Sequence, residues 1–255
     1  MPWGDGADQL RWRRRVRVAS ALLAMMAAAV PATWGQQVHA PSDEGLVPFQ
    51  AGYVWLWKGA PVAFSRLDFM HQRDDLWVYS SSSEPRGLGH LYPIRPKLES
   101  TMRISGHYVQ PLHLKVTGSG TRHDADVQFD WSKGRATGIY EGKAIDLAVT
   151  PGVQDDLSVQ IAMIRQLALG QTPEILREID KNGIRDYLYK RVGEEKLDTA
   201  IGRIDTIIYT TEHPGSPRIT RYWCAPSQGF IPLKVQQTMR DHIEWTMDIE
   251  SLKRG

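Results

Sequence analysis

The feature that most constrains this chain is a period of two. In "DADVQFDW", Ala125, Val127, Phe129 and Trp131 fall on one face, and Asp124, Asp126, Gln128 and Asp130 on the other. Successive side chains of a strand point to opposite faces, so strict apolar/polar alternation marks a half-buried β-strand. "HIEWTMDIE" repeats the pattern, with Ile243, Trp245, Met247 and Ile249 opposing Glu244, Thr246, Asp248 and Glu250. In "PLHLKV", Leu112, Leu114 and Val116 alternate with His113 and Lys115. Turn residues punctuate these runs at close spacing: Glu141-Gly142, "SKG" at 132–134, "HPGSP" at 213–217 and "PSQG" at 226–229. Asn182-Gly183, between "EILREID" and "IRDYLYK", suits a two-residue hairpin whose central positions both take positive φ. Short strands in this order predict a mainly β fold, an antiparallel meander of about ten to twelve strands. So many strands curl, which makes a curved sheet or open barrel the expected form. The serines at 80–83, with "EPRGLGH" after them, are expected to end a strand in a loop.

One segment breaks the period. In "QDDLSVQIAMIRQLALG", Leu157, Ile161, Ile164 and Ala168 recur at helical spacing, and Gly170 is placed as a C-terminal cap. One central α-helix is predicted at about 156–169. Asp155 or Asp156 is its N-cap, where a carboxylate accepts from an orphan N–H and meets the positive end of the helix dipole. The chemical alternative, Ser158 as nucleophile beside an aspartate, needs a strained turn and a histidine partner, and the sequence assigns neither. No catalytic residue is assigned.

Residues 1–32 speak to compartment. "RWRRRVRV" is a basic lead and "ASALLAMMAAAV" an apolar run shorter than the roughly 20 residues a membrane-spanning helix needs. This is the pattern of a signal peptide, with cleavage expected after Ala32, a flexible lead-in at 33–45 and one β-rich domain at 46–255. No cysteine follows the apolar run, so a lipid anchor is not expected. Residues 1–32 carry five of the 31 Lys and Arg and two of the 29 Asp and Glu, leaving 26 basic against 27 acidic side chains. Nucleic-acid binding needs a basic face, and none survives in that remainder. The lone Cys224 in "YWCAP" reads as a small buried hydrophobe. His107, His113 and His123 lack the compact spacing of a metal site, and "TGSGT" at 117–121 lacks the lysine and helix of a phosphate loop. No metal or other cofactor is expected, nor a transmembrane segment after residue 32.

"VPFQAGYVW", "FDW" at 129–131, "QDDLS" at 154–158, "GEEKLDTAIG" at 193–202 and "YWCAPSQGFIPLKV" at 222–235 together resemble the family catalogued as domain of unknown function 3108. The resemblance runs from about Leu46 to Leu252. It implies a secreted protein of a Gram-negative bacterium, a periplasmic location and a mainly β domain with one helix. It implies no reaction chemistry.

Aromatic side chains carry the remaining signal. Tyr53, Trp55 and Trp57 share one face of a strand whose other face holds Val54 and Leu56. A strand apolar on both faces covers two surfaces. Either it belongs to a large solid core, or a curved sheet leaves an apolar concavity with the helix as plug or lid. In the second case Tyr53, Trp55, Trp131 and Trp245 are the expected wall of a site for a lipid or acyl chain. By fold analogy alone, such a half-barrel is similar to the lipoprotein carrier of the outer-membrane sorting pathway. The reading is a non-catalytic periplasmic binding or carrier protein. An envelope assembly or interaction protein, with another envelope protein as partner, is the first alternative, and a hydrolase the second.

Overall fold

Segments that alternate in sequence pair with their neighbours in space. The computed structural model describes residues 46–91, 94–120 and 123–255; the signal peptide, its cleavage point and the lead-in at 33–45 lie outside these. The chain enters at β1 (Phe49–Trp57) and steps through β2 (Ala60–Arg73), β3 (Leu76–Pro85), β4 (Lys97–Ser105), β5 (Tyr108–Thr117), β6 (Ala125–Asp130), β7 (Arg135–Tyr140) and β8 (Lys143–Ala148). It then crosses by a two-residue strand, β9 (Val153–Gln154), and a helix, α1 (Ser158–Ala168). The return runs through β10 (Ile175–Asp180), β11 (Gly183–Thr199), β12 (Gly202–Glu212), β13 (Arg218–Ala225), β14 (Ile231–Met239) and β15 (His242–Arg254). β15 pairs with the free side of β1, so the first and last strands lie in the middle of one fifteen-stranded sheet whose edges are β8 and β9. Every pairing is antiparallel except β9 with β10. The sheet curves strongly but stays open.

Fifteen strands exceed the ten to twelve expected. The serine run lies within a strand. Ser80–Ser83 continue β3, paired with β2 and β4, and the strand ends only at Pro85. Their hydroxyls find partners inside the sheet, as in the contact between Ser83 Oγ and Ser65 Oγ. Turn chemistry differs at one hairpin. Glu141 and Gly142 take φ of 49° and 75°, the positive pair that a tight hairpin with right-handed twist requires. At the next hairpin Asp180 pairs with Gly183, so the loop is Lys181-Asn182 rather than Asn182-Gly183. Neither loop residue has positive φ. Asp180 Oδ1 instead accepts from the Asn182 N–H at 2.7 Å, a side-chain brace for the turn.

The helix differs from a surface amphipathic helix. Every residue from Leu157 to Ala168 is buried or half-buried. A helix covered all round sits inside a core, and here the sheet supplies the cover. Ile161, Met163, Ile164 and Leu167 pack in one apolar cluster with Phe49, Phe69, Met102, Tyr209 and Leu233, drawn from both arms of the sheet. Its start is capped by Asp155. Asp155 Oδ1 accepts from the backbone N–H of Leu157 at 2.9 Å and of Ser158 at 2.8 Å, while Ser158 Oγ accepts from the Asp155 N–H at 2.8 Å. This reciprocal arrangement satisfies orphan donors on both sides. Asp155 Oδ2 also accepts from Ser100 Oγ at 2.6 Å, which ties the cap to β4. Asp156 takes no part in the cap. At the other end Gly170, at φ 74°, follows the last turn, with Gly170 N–H donating to Leu167 O at 3.0 Å and Gln171 N–H to Gln166 O at 2.9 Å. These two bonds form a Schellman motif.

A smaller cluster fills the other end of the curve, where Leu114, Val127, Phe129, Ala136 and Ile145 pack with Val153 and Ile179. Ile179 comes from β10, so this cluster joins the two edges of the sheet without a strand pairing. Cys224 is fully buried and free, and burial pushes its thiol pKa up, which makes it inert packing.

Replacing Asp155 by Ala removes the cap and strands the buried Ser100 hydroxyl, so urea unfolding should show a loss of about 2 to 4 kcal/mol. A loss under about 0.5 kcal/mol would mean that the cap does not hold the helix in place.

Candidate functional site

Between α1 and the concave side of the sheet lies a cavity of about 310 Å³. Tyr53, Trp55, Tyr79 and Trp245 form its sheet wall, and Asp156, Leu157, Gln160 and Ile164 its helix wall. That volume is near the lower end for small-molecule sites. A second depression, of about 470 Å³, lies where Leu197–Ala200 approach Lys234 and Asp248 on β14 and β15. It gathers none of the aromatic wall.

Three of the four residues expected to line a concavity meet here. Trp55 and Trp245 touch, with ring centroids 4.9 Å apart, and Tyr53 is buried beside them. Trp131 lies elsewhere. It follows β6, stacks on Phe129 at 5.7 Å and donates from Nε1 to Pro111 O at 2.6 Å, within the smaller cluster. The alternation that placed it with Phe129 was sound, but β6 faces a different part of the core from β1 and β15. Trp57, on the same strand as Trp55, is half-exposed at the strand's end.

The polar ends of the three cavity aromatics are each satisfied by a protein acceptor. Tyr53 OH donates to Pro232 O at 2.8 Å, Trp55 Nε1 to Ser65 Oγ at 2.6 Å and Trp245 Nε1 to Gln237 Oε1 at 3.1 Å. What they offer the cavity is ring surface. Burial raises the Tyr53 and Tyr79 phenol pKa values well above their ordinary value, so neither is an acid or base at neutral pH.

One wall carries charge. Tyr140 OH donates to Asp156 Oδ1, and the Asp156 and Glu178 carboxyls are hydrogen-bonded to each other. Burial pushes Asp156 up to about 6, the Tyr140 hydrogen bond opposes this, and the nearby Asp155 charge adds to it. Glu178 is raised well above its ordinary value, by burial first and then by the Asp156 charge. Two carboxyls in one desolvated site cannot both ionise cheaply, so the pair shares a proton and carries one negative charge near neutrality. Asp155, fully buried, is also raised by burial, against the pull of Ser100 and the two backbone donors.

Glu178 and Tyr140 were not singled out by sequence. Their only signal is parity: Glu178 shares the face of buried Leu176, and Tyr140 that of buried Ala136. Ser158, the serine of the hydrolase alternative, is fully buried with its Oγ bonded into the cap, which leaves no approach for a substrate carbonyl. Among the described residues no three His, Cys, Asp or Glu side chains are arranged to hold a metal ion. Nor is any described helix long and apolar enough to cross a membrane.

A curved, open, nearly all-antiparallel sheet wrapped on a single buried helix defines a β-barrel-like class of protein. The chain belongs to the DUF3108 family, described as a protein of unknown function, whose model matches residues 52–247. Among solved structures it is similar to a β-barrel-like protein of the DUF1849 family from Brucella abortus, at 10% identity and TM-score 0.53, over 82% of this chain and 98% of that one. A protein of YmcC-like fold from Bacteroides fragilis aligns at 8% identity and TM-score 0.37, over 82% and 97%. The likeness is one of fold. A search of curated proteins finds no significant match.

The carboxyl pair fixes a pH dependence. In the unfolded chain both groups lose their protons near pH 4, while the folded protein holds Asp156 to about 6 and burial raises Glu178 well above its ordinary value. The folded state therefore binds more protons in that window, and stability falls as pH rises through it. The urea midpoint should be higher at pH 5 than at pH 8, and Glu178→Gln should flatten the slope. A midpoint that rises from pH 5 to pH 8 contradicts the shared proton.

Proposed function

We propose that this is a non-catalytic binding or carrier protein of the bacterial periplasm for an apolar ligand such as a lipid or acyl chain, exported by a signal peptide cleaved after Ala32. The observation that carries the reading is that the Tyr53, Trp55 and Trp245 polar atoms each have a protein acceptor, which leaves ring surface for the cavity. A wall built this way gains by excluding water and suits an apolar guest chain. A cavity of about 310 Å³ beside these rings supports it too.

The assembly reading keeps one specific observation. Leu88, Leu91 and Ile94, in the β3–β4 connection, are exposed, Leu91 to 75%, and Trp57 at the end of β1 is half-exposed. β1 and β3 end, and β2 and β4 begin, at the same end of the sheet, which puts these exposed side chains at one rim of it. Such a rim fits contact with another envelope component.

The neutral probe N-phenyl-1-naphthylamine separates the two. It should bind saturably and alter tryptophan emission. Trp55→Ala should weaken binding about tenfold or more, and Trp131→Ala should leave it within about twofold, since only Trp55 lies on the wall. Urea unfolding of both variants controls for lost stability, because a buried tryptophan truncation costs about 3 to 5 kcal/mol. No saturable binding, or equal losses in folded Trp55→Ala and Trp131→Ala, rejects the cavity and leaves the rim as the functional surface.

A further inference from the structure

We propose that the molecule held in this cavity ends in a hydrogen-bond donor, a hydroxyl or ammonium group, received by the Asp156 carboxylate, and that chains ending in a carboxylate or phosphate are rejected. The inference rests on the apolar-cavity reading and concerns its one charged wall. Among the described residues no Lys, Arg or His side chain lines the cavity; its polar side chains are Asp156, Gln160, Ser81 and Ser83, besides the tyrosines and tryptophans. Several of these are already engaged. Gln160 Oε1 accepts from Tyr79 OH at 3.2 Å, and the Ser83 hydroxyl is bonded to Ser65, which also takes the Trp55 indole.

Asp156 is different. It sits on the cavity wall, and its carboxyl is hydrogen-bonded from behind by Tyr140 and Glu178. Those donors orient the group, and a carboxylate has about four acceptor sites, so acceptor capacity remains for a guest. Charges that could offset it are spent elsewhere. Lys181 pairs with Glu141 and Arg185 with Asp180, both at the hairpin loops beyond Glu178. Arg165, on the same helix, is nine residues further on, about 13 Å along the axis, with its Nε donating to Gly106 O at 2.7 Å. The polar end of the guest therefore meets one negative charge in a partly desolvated wall. A hydroxyl or ammonium donates to it, whereas a carboxylate or phosphate meets like charge and no donor cation.

Three probes with the same chain test this: decan-1-ol, decylamine and decanoate, titrated at pH 7.5 below their aggregation concentrations and followed by tryptophan emission. The alcohol and the amine should bind at least about tenfold tighter than decanoate. In Asp156→Asn, whose folding is checked by circular dichroism and urea unfolding, decanoate should come within about twofold of decan-1-ol and decylamine should weaken. Decanoate binding as tightly as the alcohol in the unaltered protein overturns the headgroup assignment and leaves the apolar cavity standing. So does a preference that persists unchanged in Asp156→Asn. If none of the three binds, both the assignment and the carrier reading fall. The comparison in the unaltered protein needs no variant, so a misfolded Asp156→Asn does not blunt it.

Discussion

The structure depends on a helix buried on every side. A sheet of fifteen strands cannot stay flat and has apolar side chains on its concave face that must be covered. α1 covers them, and it can do so because its own polar ends are satisfied locally, by Asp155 and Ser158 at the start and by the Schellman motif at Gly170. Buried helix ends without such partners would cost several orphan groups. The Ser100 bond to Asp155 then fixes where along the sheet the helix begins. Chain order serves the same end. The first and last strands pair in the middle, and the helix lies in the crossover between the two free edges. The two edges approach without strand pairing, held by Ile179 in the smaller cluster and by the Lys181–Glu141 ion pair at 2.6 Å.

Much of this was legible in single segments. Period two in "DADVQFDW" reads correctly through Phe129, and "QDDLSVQIAMIRQLALG" shows both caps of the helix. What was not legible depends on curvature. Alternation tells which face a side chain takes, not which part of a curved face it reaches, and so Trp131 joins Phe129 and Pro111 rather than Trp55. The serine run with "EPRGLGH" reads as the end of a strand, but the serines themselves stay in the sheet, where hydroxyls find partners such as Ser65. Glu178 and Tyr140 carry only the parity of their strands, since their meeting with Asp156 needs β7, β10 and the start of α1 brought together.

The same curvature explains the character of the cavity. Inward-facing rings from β1 and β15 converge, while their polar atoms reach strand neighbours: Trp55 to Ser65 on β2, Trp245 to Gln237 on β14. The sheet's lateral neighbours thus absorb the polar ends, and the start of the helix supplies a charged group, Asp156. An apolar wall with one acidic corner follows from the fold, and both functional proposals draw on it. The exposed rim of Trp57, Leu88, Leu91 and Ile94 lies at the end of the sheet where β1 stops, close in sequence to Trp55 and Pro96 of the cavity lining.

The central claim is that helix and sheet enclose apolar space that a guest can fill. Diffraction from crystals held under xenon pressure tests it most directly, because xenon enters apolar cavities and leaves solid cores empty. The account predicts xenon density between Trp55, Trp245 and Ile164, on the cavity side of the indole rings. Rings of Tyr53, Trp55 and Trp245 packed directly onto α1, with no xenon between them, would contradict it.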